Sequence, residues 1–354
     1  MKIKKLNVIR FITMAFVLCV FIAPQNLEAQ KKRKRKKDNT EAAAPKPPAK
    51  SKEKSIADLV KTSKKIEGLF TIYQDTINGS LQMIVSEDQI NKEYIHFNQV
   101  SNGVVDVRRF RGAYGGSKVF KIKKYFDKIE FATQNTSFYF DPESALSKSK
   151  DANLSEGIMA SVKIEAHDKE KGLYLIKAGN LFLKETLSQV KPPKFPGSSP
   201  VAFSLGNLDK LKTKISDIRN YSDNTNLEVE YVYSKPSVLN GGSNAISDGR
   251  NVSIKVFHSL IAIPENDYEI RLDDPRVGYF LTQVNDQTST SSTPYRDLVH
   301  RWDLQKKDAN AALSEPIEPI TWWIENSTPI QWRETIKDAV LQWNVAFEKA
   351  GFKN

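Results

Sequence analysis

From Leu69 onward the chain is a succession of short stretches in which apolar and polar residues alternate, separated by turn residues, and this pattern constrains the fold more than any other feature. Successive side chains of a strand point to opposite faces, so such alternation marks strands with one face buried. It predicts strands over 69–73, 81–85, 94–100, 119–126, 129–133 and 137–140, then over 162–166, 173–177, 227–233, 251–261 and 277–284. Asn78-Gly79 supplies a hairpin turn, and Asp127-Lys128 is expected to supply another. Helical spacing is confined to 56–66, 208–219 and the C-terminal segment. The expected class is α+β and β-rich, with mostly antiparallel sheet and no internal repeat.

Charge divides the chain sharply. The net charge is +11, yet residues 1–37 carry eleven basic and one acidic residue, 38–54 four and three, and the remainder 38 of each. The globular part is therefore neutral, which argues against a nucleic-acid function. Lys2, Lys4, Lys5 and Arg10 precede an apolar run over 11–23, and Leu27-Glu28-Ala29 offers a cleavage site, so 1–29 is expected to be a signal peptide for export to the periplasm, surface or medium. That run is too short for the roughly 20 residues a bilayer span needs, so no span is expected after cleavage. Residues 30–54, rich in Lys, Ala and Pro, are expected to form a disordered basic linker able to adhere to an anionic surface. Cys19, the only cysteine, lies in the leader, so the mature chain has no thiol chemistry.

Residues able to carry chemistry are scattered. His96, His167, His258 and His300 stand far apart in sequence, and none has a second histidine or a cysteine at metal-ligand spacing. His258 shares the parity of Val252, Ile254 and Val256 and is expected to face the core. The lysine-aromatic stretch 118–126 reads as an edge strand blunted by charge. Gly241-Gly242-Ser243 reads as a loop, and the glycines of 112–117 precede a strand and not a helix, so they offer no phosphate cradle. The densest polar cluster is Arg271, Asp273, Asp274, Pro275, Arg276 and Gly278. Its acids and arginines either pair to lock a turn or place an aspartate toward a zinc site elsewhere as a latency device; the residues alone do not select.

The C-terminal segment adds a second kind of signal. Ile320 to Ile324 is of strand type; Thr328, Pro329 and Gln331 compose a helix start with a capping box. Ile336, Ala339, Val340, Trp343, Ala346, Phe347 and Ala350 then recur at helical spacing up to Gly351. This strand and helix resemble the opening of a zincin-type metallopeptidase domain. With Gly68-Leu-Phe-Thr-Ile-Tyr73 and the stretch from Ile263 to Phe280, the chain is similar to a family of secreted bacterial zinc-dependent metalloproteases in which two domains of unknown function precede the catalytic one. The resemblance implies a small α+β domain over 55–105, a β-rich domain over 106–305 and the start of a zincin-like domain over 306–354. It also implies zinc for the full-length family. The motif His-Glu-x-x-His is absent from these 354 residues, so no catalytic or metal-ligating residue is expected in them and the chain alone is expected to be inactive. The expected partner is a missing catalytic domain, in cis or as a separate chain of a truncated or split protein. The alternative is a self-sufficient periplasmic or surface binding module with no enzymatic activity.

Overall fold

The structure, a computed structural model, describes residues 54–353 except 195 and 200. The expected signal peptide, Cys19 and all of the basic linker but Lys54 lie outside the described residues. The chain opens with helix α1 (Ile56–Leu59), whose N-cap Ser55 and Asp58 form a capping box. Then follow β1 (Ser63–Ile66), β2 (Ile72–Asp75), β3 (Leu81–Ser86), β4 (Glu93–Asn102), β5 (Tyr114–Tyr125), β6 (Lys128–Thr133) and β7 (Phe138–Tyr139). Next come β8 (Gly157–Asp168), β9 (Leu173–Lys177), α2 (Gly179–Leu183), β10 (Asn207–Leu208), β11 (Lys214–Asn220), β12 (Asn224–Ser234) and β13 (Asn251–Ala262). The chain closes with β14 (Leu281–Asp286), β15 (Tyr295–Val299), α3 (Ile330–Leu341) and α4 (Asn344–Lys349).

Twelve of the strands form one antiparallel sheet in the order β1-β2-β3-β9-β8-β6-β5-β4-β13-β12-β10, with β11 also on β12. It curls until its ends meet. The link between β1 and β2 touches the turn between β11 and β12: Leu69 N donates to Tyr221 O at 2.6 Å, and Phe70 N donates to Thr225 Oγ1 at 3.0 Å. Asn220 Nδ2 donates to Ile66 O and Phe70 O, and Asn220 Oδ1 accepts from Thr225 Oγ1 at 2.6 Å. Gly68 is needed at this junction, because a Cβ there would lie 2.1 Å from Asn220 Oδ1.

Curling follows from the alternation. In β4 the inward residues Tyr94, His96, Asn98 and Val100 are buried while their neighbours are not; β12 turns Leu227, Val229, Tyr231 and Tyr233 inward, with Asn226 and Val232 buried on its other face. With Phe70, Met83, Phe120, Phe131 and Ile254 these side chains form one core cluster, capped by Leu181 and Phe182 of α2. Each large side chain so buried contributes about 1.5–3 kcal/mol. A second, three-stranded sheet, β15-β14-β7, carries a parallel β14–β7 pair.

The β-rich α+β class expected from the sequence is the class observed, and β9 has the predicted bounds. Other expectations are corrected. The division near 105/106 falls between β4 and β5, which are hydrogen-bonded neighbours in one sheet. The helix expected over 208–219 is instead β10, a turn and β11. An extra residue in β11 between Ile215 and Asp217 shifts the register, so Ile215 and Ile218 come onto one side three apart and imitate helical spacing. The lysine-rich β5 is an interior strand between β4 and β6, not an edge; Phe120 and Ile122 face inward while Lys121 pairs with Glu93 and Lys123 with Glu156 outside. The β5–β6 turn is Phe126-Asp127, one residue earlier than expected. Residues 320–324, expected as a strand, form none. The terminal helix is broken after Leu341, and Thr328 makes no side-chain cap.

Candidate functional site

Inside the curled sheet the core holds a chain of polar groups. His96 on β4 and His258 on β13 are fully buried, with rings stacked at 5.3 Å and His96 Nε2 3.0 Å from His258 Nδ1. The expectation that the histidines stand apart is corrected: they are 162 positions apart in sequence, but β4 and β13 are paired and both residues point inward. The core-facing position expected for His258 is observed. His258 Nε2 lies 2.9 Å from Tyr231 Oη, and Tyr231 donates its hydroxyl hydrogen to Phe182 O. That single hydrogen fixes the remainder. Tyr231 oxygen must accept from His258 Nε2–H, so His258 Nδ1 is bare and accepts from His96 Nε2–H. His96 Nδ1 is then a buried lone pair with no partner among the described residues.

Both rings are neutral. Burial, with Lys118 nearby, pushes His96 down to about 4, and burial, with His96 beside it, pushes His258 down to about 3. Beside them Tyr233 donates to Glu185, whose carboxylate also accepts from Val190 N and Lys191 N. Burial and this carboxylate raise the Tyr233 phenol. Arg109 Nε donates to Val190 O at 2.7 Å. These bonds hold the segment after α2 in the mouth of the curled sheet. They leave no opening to solvent at the histidines, so the arrangement is a locked, polar core.

The sequence-predicted cluster is only partly assembled. Arg276 Nε donates to Asp274 Oδ1 at 2.9 Å, Arg276 N donates to the same oxygen, and Val277 N donates to Asp274 O, so Asp274-Pro275-Arg276 is a local turn. The Arg276 side chain beside Asp274 holds that carboxyl below the usual range. Arg271 and Asp273 join through backbone alone, by Val299 N to Arg271 O and Asp273 N to Asp297 O. Gly278 has nothing within 4 Å of a Cβ position. The four-charge network weighed from the sequence is therefore a single exposed ion pair. Such pairs contribute little, and Arg276→Ala should leave the melting temperature within about 1 °C in calorimetry.

A third feature is apolar. Phe280, Trp302, Trp322, Trp343, Phe347 and Phe352 line a groove of about 760 Å³ between the extended segments around 302–322 and helices α3 and α4. Around it large side chains face solvent: Trp323 is 90% exposed, Phe280 86%, Trp322 68% and Trp343 67%. Arg111 Nη2 ties this region to the sheet through Glu325 at 2.8 Å. Exposed apolar surface on this scale marks an interaction site. No three His, Cys, Asp or Glu side chains among the described residues are arranged to hold a metal ion, so the zinc that the resemblance implies has no ligand set here. No described helix is long and apolar enough to cross a membrane.

A family model described as Domain of unknown function (DUF5117) matches residues 112–307, more than half of the 354. The chain belongs to the DUF5117 family. Nothing among curated proteins or solved structures matches the chain. The DUF5117 stretch supplies β5 to β15, including His258, Tyr231 and the 271–278 turn, whereas β1 to β4 complete the same sheet from outside it. His96 and the junction glycine Gly68 therefore lie upstream of the matched residues, and most of the aromatic groove lies downstream.

Proposed function

We propose that this DUF5117 chain is the non-catalytic region of an exported zinc-dependent metalloprotease and that its aromatic C-terminal surface packs against the rest of the catalytic unit, in cis or as a separate chain. The observation that carries this reading is the exposure of Trp322 and Trp343, which line the groove, together with that of Trp323 and Trp332. Burying side chains of this size stabilises by about 1.5–3 kcal/mol each, so leaving several in water favours association. The resemblance of the segment from Ile320 onward to the first strand and helix of a zincin supplies the partner's identity, and the leader over 1–29 supports export. On this reading 306–354 is the first part of the catalytic unit's fold.

A self-sufficient surface binding module is the second reading, and the groove itself favours it. Its volume of about 760 Å³ and its aromatic lining are those of a site for one organic ligand. The two readings part in one experiment. The purified chain should hold no stoichiometric zinc and leave casein intact, while the reading frame beside codon 354 should encode His-Glu-x-x-His. Stoichiometric zinc with proteolysis by the chain alone would overturn the first reading, and absence of any such frame nearby would favour the second.

A further inference from the structure

One strand edge of the large sheet is left open inside a basic groove. Strand β8 runs from Gly157 to Asp168. On one flank β6 pairs with it over 157–163, and on the other β9 pairs only with Ile164 to Asp168. The reason is local. After Lys177 the chain turns away through Ala178 into α2 instead of continuing along β8, so the outer flank of 157–163 faces a helix and not a strand. Between them lies a groove of about 430 Å³, floored by Ala160 to Lys163 and walled by Asn180, Leu181 and Lys184. Pairing with β9 reaches no further than the Ile164–Ile176 pair, so the backbone of 157–162 has no strand beyond β6. The inward residues of this stretch are also incompletely covered. Met159, Ala160 and Val162 are only half-buried, where Ile129 and Phe131 of neighbouring β6 are fully buried.

The groove's charge has one sign. Lys163 and Lys184 have no ion-pair partner among the described residues, Lys163 stands directly across from Lys128, and the one acid in the lining, Glu165, is already paired with Lys177 at 2.9 Å. Lysines on an open edge discourage a second copy of the same edge from pairing with it, because like charges would be brought together. They favour a strand of opposite charge. We propose that this edge is a strand-addition site for an extended acidic peptide, which prolongs the place of β9 along β8. Its backbone bonds to 157–163, alternate apolar side chains rest on Ala160, Val162 and Leu181, and the intervening carboxylates meet Lys163 and Lys184. The period of two along a strand fixes that alternation. The site stands whether or not the aromatic surface seats a protease.

The test uses the whole chain and a labelled peptide of about eight residues in which Val and Glu alternate, read by fluorescence anisotropy. The peptide should bind. Binding should weaken by about tenfold or more in Lys163→Glu/Lys184→Glu, where like charges face each other, and it should fall as salt shortens the screening length from about 8 Å toward about 3 Å. A proline at the peptide's centre, which lacks the N–H, should abolish it. Circular dichroism matching that of the parent chain keeps the double variant a test of binding and not of folding. No binding of the Val-Glu peptide, equal binding of a Val-Lys peptide, or tolerance of the central proline would each overturn the proposal. So would sedimentation showing that the parent chain dimerises and that Lys163→Glu/Lys184→Glu separates the dimer.

Discussion

Asn220→Ala should lower the unfolding free energy by on the order of 3 kcal/mol. One amide here joins both ends of the sheet: its Nδ2 serves the carbonyls of Ile66 and Phe70, and its Oδ1 takes the Thr225 hydroxyl, which in turn accepts from Phe70 N. Ile66 O keeps its place in the β1–β2 ladder, but removal strands the Phe70 carbonyl and the Thr225 hydroxyl hydrogen, and each buried group left unpaired costs about 1–3 kcal/mol. Gly68→Ala should act in the same direction, because its Cβ would meet Asn220 Oδ1 and Tyr221 O, both closer than any real Cβ contact. Urea denaturation reads both. An unchanged midpoint in Asn220→Ala would mean that the sheet's closure does not depend on this junction.

The second large effect is in acid. Both histidines are neutral in the fold and have their pKa lowered from 6.5, to about 4 for His96 and about 3 for His258. The unfolded chain therefore takes up protons first as pH falls, so the stability these rings share is complete above about pH 6.5 and is lost progressively as pH drops toward 4. One pKa unit corresponds to about 1.4 kcal/mol, so His96 alone accounts for roughly 3 kcal/mol across that window. The first proton should enter at the bare His96 Nδ1, which needs no bond broken. Unfolding free energies measured between pH 7 and 4 should fall steeply in the parent chain. They should fall less in His96→Leu/His258→Leu, which keeps only the carboxylate contribution; parallel curves would rule out the buried pair as the cause.

Strands were legible in this sequence where one face is buried and the other wet, as in β4, because burial imposes the alternation directly; β9, buried on both faces at Tyr174 to Ile176, was legible instead as a short apolar run. Legibility ended where the backbone departs from regular pairing. The bulge in β11 disguised a strand as a helix by spacing Ile215 and Ile218 three apart, and Ile320 to Ile324 has strand composition but forms no strand. The position of β5 was misread for a different reason: lysines on an outer face look the same whether the strand is at an edge or enclosed between β4 and β6.

The polar core was hidden because contact between His96 and His258 is created by the β4–β13 pairing, and no local spacing encodes it. A partial signal existed. His96 shares the inward parity of Tyr94 and Val100 just as His258 shares that of Ile254 and Val256, so two inward histidines in strands of one sheet could have been asked whether they meet. The cluster at 271–278 failed in the opposite way. Its residues are adjacent in sequence, yet only Asp274 and Arg276 pair through their side chains, while Arg271 and Asp273 join the strand across from them by backbone bonds.

On the proposed function, the exposed aromatic surface about Trp322, Trp323 and Trp343 is one that a partner covers. Hydrophobic-dye fluorescence and sedimentation of the intact chain, compared with Trp322→Gln/Trp323→Gln/Trp343→Gln, measure it. The intact chain should bind dye and self-associate. The triple variant should lose both while keeping its melting temperature, since none of these three side chains belongs to the core cluster of the sheet. An intact chain that stays monomeric and dye-free would contradict the account, because a surface so disposed would then need nothing to cover it.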